Sequence, residues 1–299
     1  MNSLNKRQKQ ANTITFSILF FVLWPVFVHA QGLPATDIWL ADLIDGELQQ
    51  PQKINTGDGY NNQPHFSVDG QFIYYTKEQV GTDSVSQTDI AAYELESGVT
   101  EIVSHTDESE YSPTPVPGRN ELSVIQGQRQ LLVAIDIESG DSRVIFATIE
   151  PVGYHGWISE QEVAMFILGD TFTLQTAKLS DETGTVVAEN IGRTIRKDPV
   201  TGDLLFVDTN TSPFQIAAFN PNTGEIRRIV PLFPESQDFT VDSTGGFWTG
   251  NGSKLYRRTA QDSRWVLIAD LGSSGIRNIS RLAIDPGDTR IALVSDHIE

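Results

Sequence analysis

A repeat constrains this chain more than any other feature. From residue 37 onward, short β-type runs alternate with turns of Gly, Pro, Asn and Asp, and two kinds of hairpin recur in alternation. The first is a strand, a turn and a second strand: DIWLADLIDGE from residue 37, DIAAYELESGV from 89, QLLVAIDIESGD from 130, FTLQTAKLSDETGT from 172, FQIAAFNPNTGE from 214 and KLYRRTAQDSR from 254. Its turn glycines, Gly46, Gly98, Gly140, Gly184 and Gly224, stand 52, 42, 44 and 40 residues apart, and the sixth copy has Asp262-Ser263 in their place. The second kind begins at residues 65, 114, 157, 197, 239 and 282, and five of its copies turn on Asp69-Gly70, Pro117-Gly118, Thr201-Gly202, Gly245-Gly246 or Pro286-Gly287. Glycine supplies positive φ at such turns and proline presets φ. Two hairpins in about 42 residues make four strands per repeat, the blade of a β-propeller.

No amphipathic helical pattern persists for three turns. The expected fold is therefore all-β: a six-bladed β-propeller with four antiparallel strands per blade. Residues 37–54 and 279–295 each supply half of one blade. Pairing of these N- and C-terminal strands would close the ring and hide both sheet edges.

Residues 1–30 read as an address. Lys6, Arg7 and Lys9 precede a mostly apolar run over residues 14–28, and Val28-His29-Ala30 places small or β-branched residues before Gln31. That layout predicts a signal peptide cleaved after Ala30. The apolar run, interrupted by Pro25, is short against the ~20 residues of a membrane-spanning helix. The expected organisation is a leader over 1–30 and a propeller over 31–299, periplasmic or secreted depending on the host envelope, with no membrane span after cleavage.

Composition narrows the function. Against 39 acidic residues stand 21 basic ones, a net charge of −18, and cleavage would remove three basic residues and no acidic one. Nucleic acid is a poor partner for such a surface, because phosphate binding needs a basic patch. The absence of cysteine excludes disulfides, a thiol nucleophile and a lipid-modified N-terminal cysteine. G-x-S-x-G, H-E-x-x-H, the phosphate-binding GxxxxGK[ST] loop and the EF-hand loop are all missing.

The stretch Gln63-Pro64-His65-Phe66-Ser67-Val68-Asp69-Gly70-Gln71-Phe72-Ile73-Tyr74-Tyr75 resembles the P-x-F-S-P-D-G-x-x-I-x-Y/F signature of WD-repeat-like propellers of the TolB type. Residues 37–43 and 285–292 look like weaker copies. Residues 108–115 and 152–157 are similar to segments of exported TolB-like propellers. The resemblance implies a propeller scaffold and an exported binding role, with an exported or envelope protein or peptide as partner. TolB itself carries an α/β domain before its propeller. Here the first blade strand follows the expected cleavage site by seven residues, so the resemblance does not extend to that domain or to the Tol–Pal machinery.

In a propeller, the residues leading into each innermost strand converge on the central channel. The candidates there are Asn62, Glu110, Tyr111, Tyr154, His155, Arg193, Arg196, Asp238, Asn278 and Arg281. Unpartnered burial of such groups is costly, so the channel is expected to be wet or ligand-filled. Glu110, Asp238 and Asn278, with Asn62, offer oxygen ligands for Ca²⁺. Alternatively, the three arginines pair with those carboxylates in a structural network. His65, His105 and His155 are expected at surfaces or in loops, and Tyr111, Tyr154 and Trp157 in the core between blades. No catalytic residue stands out. The expected function is a non-catalytic binding scaffold; the alternative is a Ca²⁺-dependent, lactonase-like hydrolase working in the channel.

Overall fold

Strands whose both faces are covered read as continuous apolar runs, whereas a strand at a sheet's rim needs no such run. The chain shows both. Leu204–Asp208 and Glu162–Ile167 are buried along almost their whole length, while Ser142–Val144 is exposed throughout. In the computed structural model, which describes residues 32–81 and 86–298, these runs form six antiparallel sheets arranged as a propeller. The expected leader, residues 1–30, lies outside the described residues.

The innermost strands are Asn61–Phe66, Glu110–Pro115, Val152–Ser159, Ile191–Lys197, Thr240–Val241 and Arg281–Ile284, in blades 1 to 6. Six apolar clusters hold the ring, one at each junction between blades. Tyr74 and Ile90 of blade 1 meet Leu122 and Val133 of blade 2, and Ile125 and Leu132 of blade 2 meet Val163 and Met165 of blade 3. Phe166 meets Phe206, Leu205 meets Phe239, Trp248 meets Leu293, and Ala292 meets Ile73 around the remaining junctions. Each blade is thus buried on two faces, which explains why its middle strands are apolar on both.

The ring closes as the terminal hairpins require. Thr36–Ile44 pairs antiparallel with Arg290–Asp296, Asp37 opposite Ser295 and Ala41 opposite Ile291. Gln52–Lys53 then pairs back on Trp39 and Leu40. Asn55, 3% exposed, fastens this edge: it accepts from the Ile38 N–H at 2.7 Å and donates to Asp37 at 2.9 Å. Trp39 Nε1 donates to Ser295 Oγ at 3.0 Å across the seam.

Two details refine the repeat. In the sixth first-type hairpin, the Asp262 carboxylate accepts from the Thr259 N–H and hydroxyl at 2.7 and 2.9 Å, replacing the usual glycine turn with a side-chain one. At Gly250 the reason for glycine is space, since a Cβ there would lie 2.3 Å from Ile279 Cγ2. Gly250→Ala is expected to push blades 5 and 6 apart and lower stability by about 1–3 kcal/mol. Chemical denaturation would test this, and an unchanged midpoint would show that Ile279 yields freely.

Candidate functional site

The channel wall departs from regular pairing where the side chains matter. The inner strands of blades 1 to 4 carry register shifts, between Asn62 and His65, Tyr111 and Thr114, Val152 and Tyr154, and Ile191 and Ile195. Gln63 and Ser112 adopt positive φ, 58° and 57°, immediately before Pro64 and Pro113. Bulges of this kind re-aim side chains beside functional sites. Here they free Gln63 to bridge two blades, its Oε1 accepting from the Thr76 hydroxyl at 2.8 Å and the Ser112 N–H at 2.9 Å.

Within this wall lies a cavity of about 50 Å³, lined among others by His65, Tyr154, His155, Arg193, Arg196, Asp238 and Arg281. That is room for a few waters or one small polar group. Arg193 and Asp238 are shared with a polar recess of about 240 Å³ formed by residues preceding the inner strands, including Ser236, Asn278 and Ser280. His65, His155 and Arg196 are shared with a wider recess of about 610 Å³ formed by residues at the strands' far ends, including Pro115, Trp157, Val241 and Ile284. The small cavity therefore sits between two mouths.

Its electrostatics are set by what the charged groups lack. Among the described residues, no carboxylate lies within ion-pair distance of Arg193, Arg196 or Arg281. This corrects the structural-network reading. Arg193 donates to Ser280 O at 2.7 Å, Arg196 to Ile195 O at 3.0 Å and Leu282 O at 3.4 Å, and Arg281 to the Tyr154 hydroxyl at 2.8 Å. Arg281 also stacks over the Tyr154 ring, 4.8 Å from its centroid. Burial, then mutual repulsion with Arg281, lowers the Arg193 pKa. Burial likewise lowers Arg196. For Arg281 burial acts downward too, but Tyr154, Asp238 and Tyr60 outweigh it and raise the value. Burial pushes the Tyr60 phenol up to about 12, so it stays neutral beside them.

Asp238, 3% exposed, holds its Oδ1 between the Thr194 hydroxyl and the Phe239 N–H, while Oδ2 has no partner. Arg193 Nε, His155 Nδ1 and Ser112 Oγ are likewise buried without partners.

The histidines are a further correction. His65 and His155 line the channel rather than the surface; of the three, His105 is the exposed one. Ser123 assigns the His155 proton. Its single hydroxyl hydrogen goes to Thr114 O at 3.0 Å, so its oxygen accepts from Trp157 Nε1 at 2.9 Å and from His155 Nε2–H at 2.7 Å. His155 Nδ1 is left a bare acceptor. His65 donates from Nδ1 to Phe66 O at 2.9 Å. Burial lowers His65 to about 4, with Arg196 adding to the effect against the bond to Phe66 O, and burial lowers His155 to about 3, with His65 adding to it once protonated.

Both imidazoles are therefore neutral in the folded protein at pH 7. Because the folded values lie below the free-histidine value, the unfolded chain takes up protons first as pH falls. Their contribution is complete above pH about 6.5 and declines below it by up to ~1.4 kcal/mol per pH unit for each imidazole. It is lost as pH falls through the folded values of about 4 and 3. Melting temperature is expected to drop between pH 7 and 5, and less steeply in His155→Gln. Ordinary titration of both rings by NMR near the free value would refute this.

The other candidates fall elsewhere. Glu110 is fully buried but lines none of these three cavities; it accepts from Gln126 at 3.0 Å and from the Thr106 hydroxyl, and burial raises its pKa. Asn62 is occupied by the Gln63 N–H at 2.8 Å, and exposed Asn278 donates to Asp296 at 3.2 Å. Among the described residues, no three His, Asp or Glu side chains are grouped so as to share an ion. Tyr111 and Trp157 pack in the cluster between blades 2 and 3, and Tyr154 both borders a cluster and lines the cavity. The neutral histidines and the bulges were missed from sequence. The Gln-Pro and Ser-Pro pairs at 63–64 and 112–113 are the one shared signal for the bulges.

No protein-family profile and no curated protein matches the sequence. Solved structures do match in shape. A candidate TolB from Agrobacterium tumefaciens superposes with a TM-score of 0.68 at 12% identity, over 90% of this chain and 100% of that one. TolB from Acinetobacter baumannii gives 0.56 at 11% identity, over 89% of this chain and 65% of that one. A gluconolactonase, XC5397 from Xanthomonas campestris, gives 0.58 at 11% identity, over 79% and 86%. Identities this low speak for the fold alone, and both binding proteins and enzymes use it. The chain has the fold of the TolB-like six-bladed β-propellers.

Proposed function

We propose that this protein is an exported, non-catalytic binding propeller whose central channel seats its ligand. One observation carries the reading: buried, unpartnered donors and acceptors, Arg193 Nε, Asp238 Oδ2 and His155 Nδ1, belong to residues lining a single cavity that continues into two recesses. Polar atoms left this way are expensive unless water or a ligand meets them. Export is supported by the leader-like residues 1–30, and among the described residues no helix is long and apolar enough to cross a membrane.

Native mass spectrometry of the protein purified without denaturation tests this reading. A bound small molecule or peptide, displaced when His155 is replaced by Phe to fill the channel, is the expected result. The hydrolase alternative makes a different forecast: lactone turnover that rises with added Ca²⁺ and falls in Glu110→Gln. Such turnover would overturn the non-catalytic reading.

A further inference from the structure

The cavity's charge is opposite to that of the molecule. In a chain of net charge −18, three guanidinium groups and a single carboxylate line a space of about 50 Å³. The guanidiniums have no ion-pair partner among the described residues, and most of their donors find no acceptor in the protein. Surface arginines of the same chain do find partners: Arg227 pairs with Asp203, Arg228 with Asp208 and Arg257 with Asp242. Among the described residues Arg264 and Arg277 also lack an ion pair but are exposed to water, whereas the channel arginines are half-buried. Drawing three cations partly out of water with one carboxylate among them is unfavourable, and an anion supplied from outside would offset the penalty.

The chemistry of that anion can be narrowed further. Arginine's planar fork matches the two oxygens of a carboxylate. Asp238 Oδ2, buried and unpartnered, would repel a bare anion but would accept from a hydroxyl beside it. His155 Nδ1 is a second empty acceptor of the same kind. The volume accommodates a head group of this size, and the recess of about 610 Å³ beyond Arg196 and His155 has space for a larger body.

We propose that the cavity binds a small 2-hydroxycarboxylic acid, its carboxylate held by Arg193, Arg196 and Arg281 and its hydroxyl donating to Asp238 Oδ2. This rests on the channel-binding reading and adds the ligand class to it. Charge selects for the carboxylate, and the empty acceptor selects for the hydroxyl.

The test uses lactate, propanoate, lactamide and inorganic phosphate as probes, at low ionic strength, read by thermal shift and calorimetry. Lactate is expected to bind at least about tenfold more tightly than propanoate, which lacks the hydroxyl, or lactamide, which lacks the charge. Arg193→Gln should weaken lactate at least about tenfold, and Asp238→Asn should erase the preference for lactate over propanoate. Arg281→Lys serves as a second charge-position variant should Arg193→Gln fail to fold. Equal binding of lactamide would overturn the anion site, and equal or tighter phosphate binding would overturn the carboxylate. No lactate binding up to tens of millimolar would overturn the assignment as a whole. If native mass spectrometry still finds a bound neutral or cationic species, only the ligand class falls; an empty channel in both experiments removes the binding reading as well.

Discussion

Asp242→Ala is expected to lower stability by about 3–5 kcal/mol, the range for breaking a buried, hydrogen-bonded charge pair. Asp242, 4% exposed, accepts from the Thr244 and Gly246 N–H groups at 3.1 and 2.7 Å, from Trp248 Nε1 at 2.8 Å and from Arg257 Nε at 2.8 Å. Arg257 lies over the Trp248 ring, 5.5 Å from its centroid, and Trp248 belongs to the apolar cluster joining blades 5 and 6. Losing the carboxylate strands the indole donor and a guanidinium at once. Burial works against this charge, but the bonds from Thr244, Trp248, Gly246 and Arg257 prevail and hold the carboxyl below its usual range. Its stabilisation is therefore present above the ordinary carboxylate pKa of about 3.9 and lost as pH falls through the depressed folded value. Urea denaturation of Asp242→Ala beside Asp69→Ala, an exposed turn residue, provides the comparison. Similar midpoints for the two variants would refute the role given to Asp242.

Ile38→Pro is expected to open the ring, at a cost above about 4 kcal/mol. Ile38 is fully buried in the cluster between blades 6 and 1, and its N–H donates to Asn55 Oδ1 at 2.7 Å. Proline removes that donor, leaves the amide oxygen unpaired and deletes apolar packing. Ile38→Val, which shortens the side chain and keeps the N–H, should cost only about 0.5–1.5 kcal/mol. Ring opening would also raise protease sensitivity in residues 36–44 and 290–296, the two paired strands. A proline variant that melts like the valine variant would show that the terminal seam does not hold the propeller shut.

Much of the architecture was legible because each of its determinants is local. The turn at Gly98, with φ of 70°, needs glycine whatever surrounds it. Runs such as LLFVD at 204–208 announce a strand covered on both faces. The seam between residues 36–44 and 290–296 followed from counting half-blades at each end. The site was legible only as a set of polar positions near the axis. Arg193, Asp238 and Arg281 line one cavity, whereas Glu110 and Asn62 lie outside it and Asn278 borders only the adjoining polar recess. Which polar positions meet at the axis depends on how the six inner strands are placed around the ring, and neither that placement nor register within a strand is encoded by residue type alone.

From the sequence alone came the repeat, the strands, the blade count and the way the ring closes, because periodicity and turn chemistry act over a few residues. The tertiary structure decided the charge state and partners of the channel. His155 is neutral because burial disfavours its charged form, and Ser123, 32 residues away in sequence and also bonded by Trp157 Nε1, accepts from its Nε2–H. The three arginines share the channel with one carboxylate, Asp238, which bonds Thr194 and Phe239 and forms no close ion pair with them, while Glu110 lies outside the cavity and bonds Thr106 and Gln126. Whether a charge is compensated depends on distance through space, and only the folded ring sets those distances.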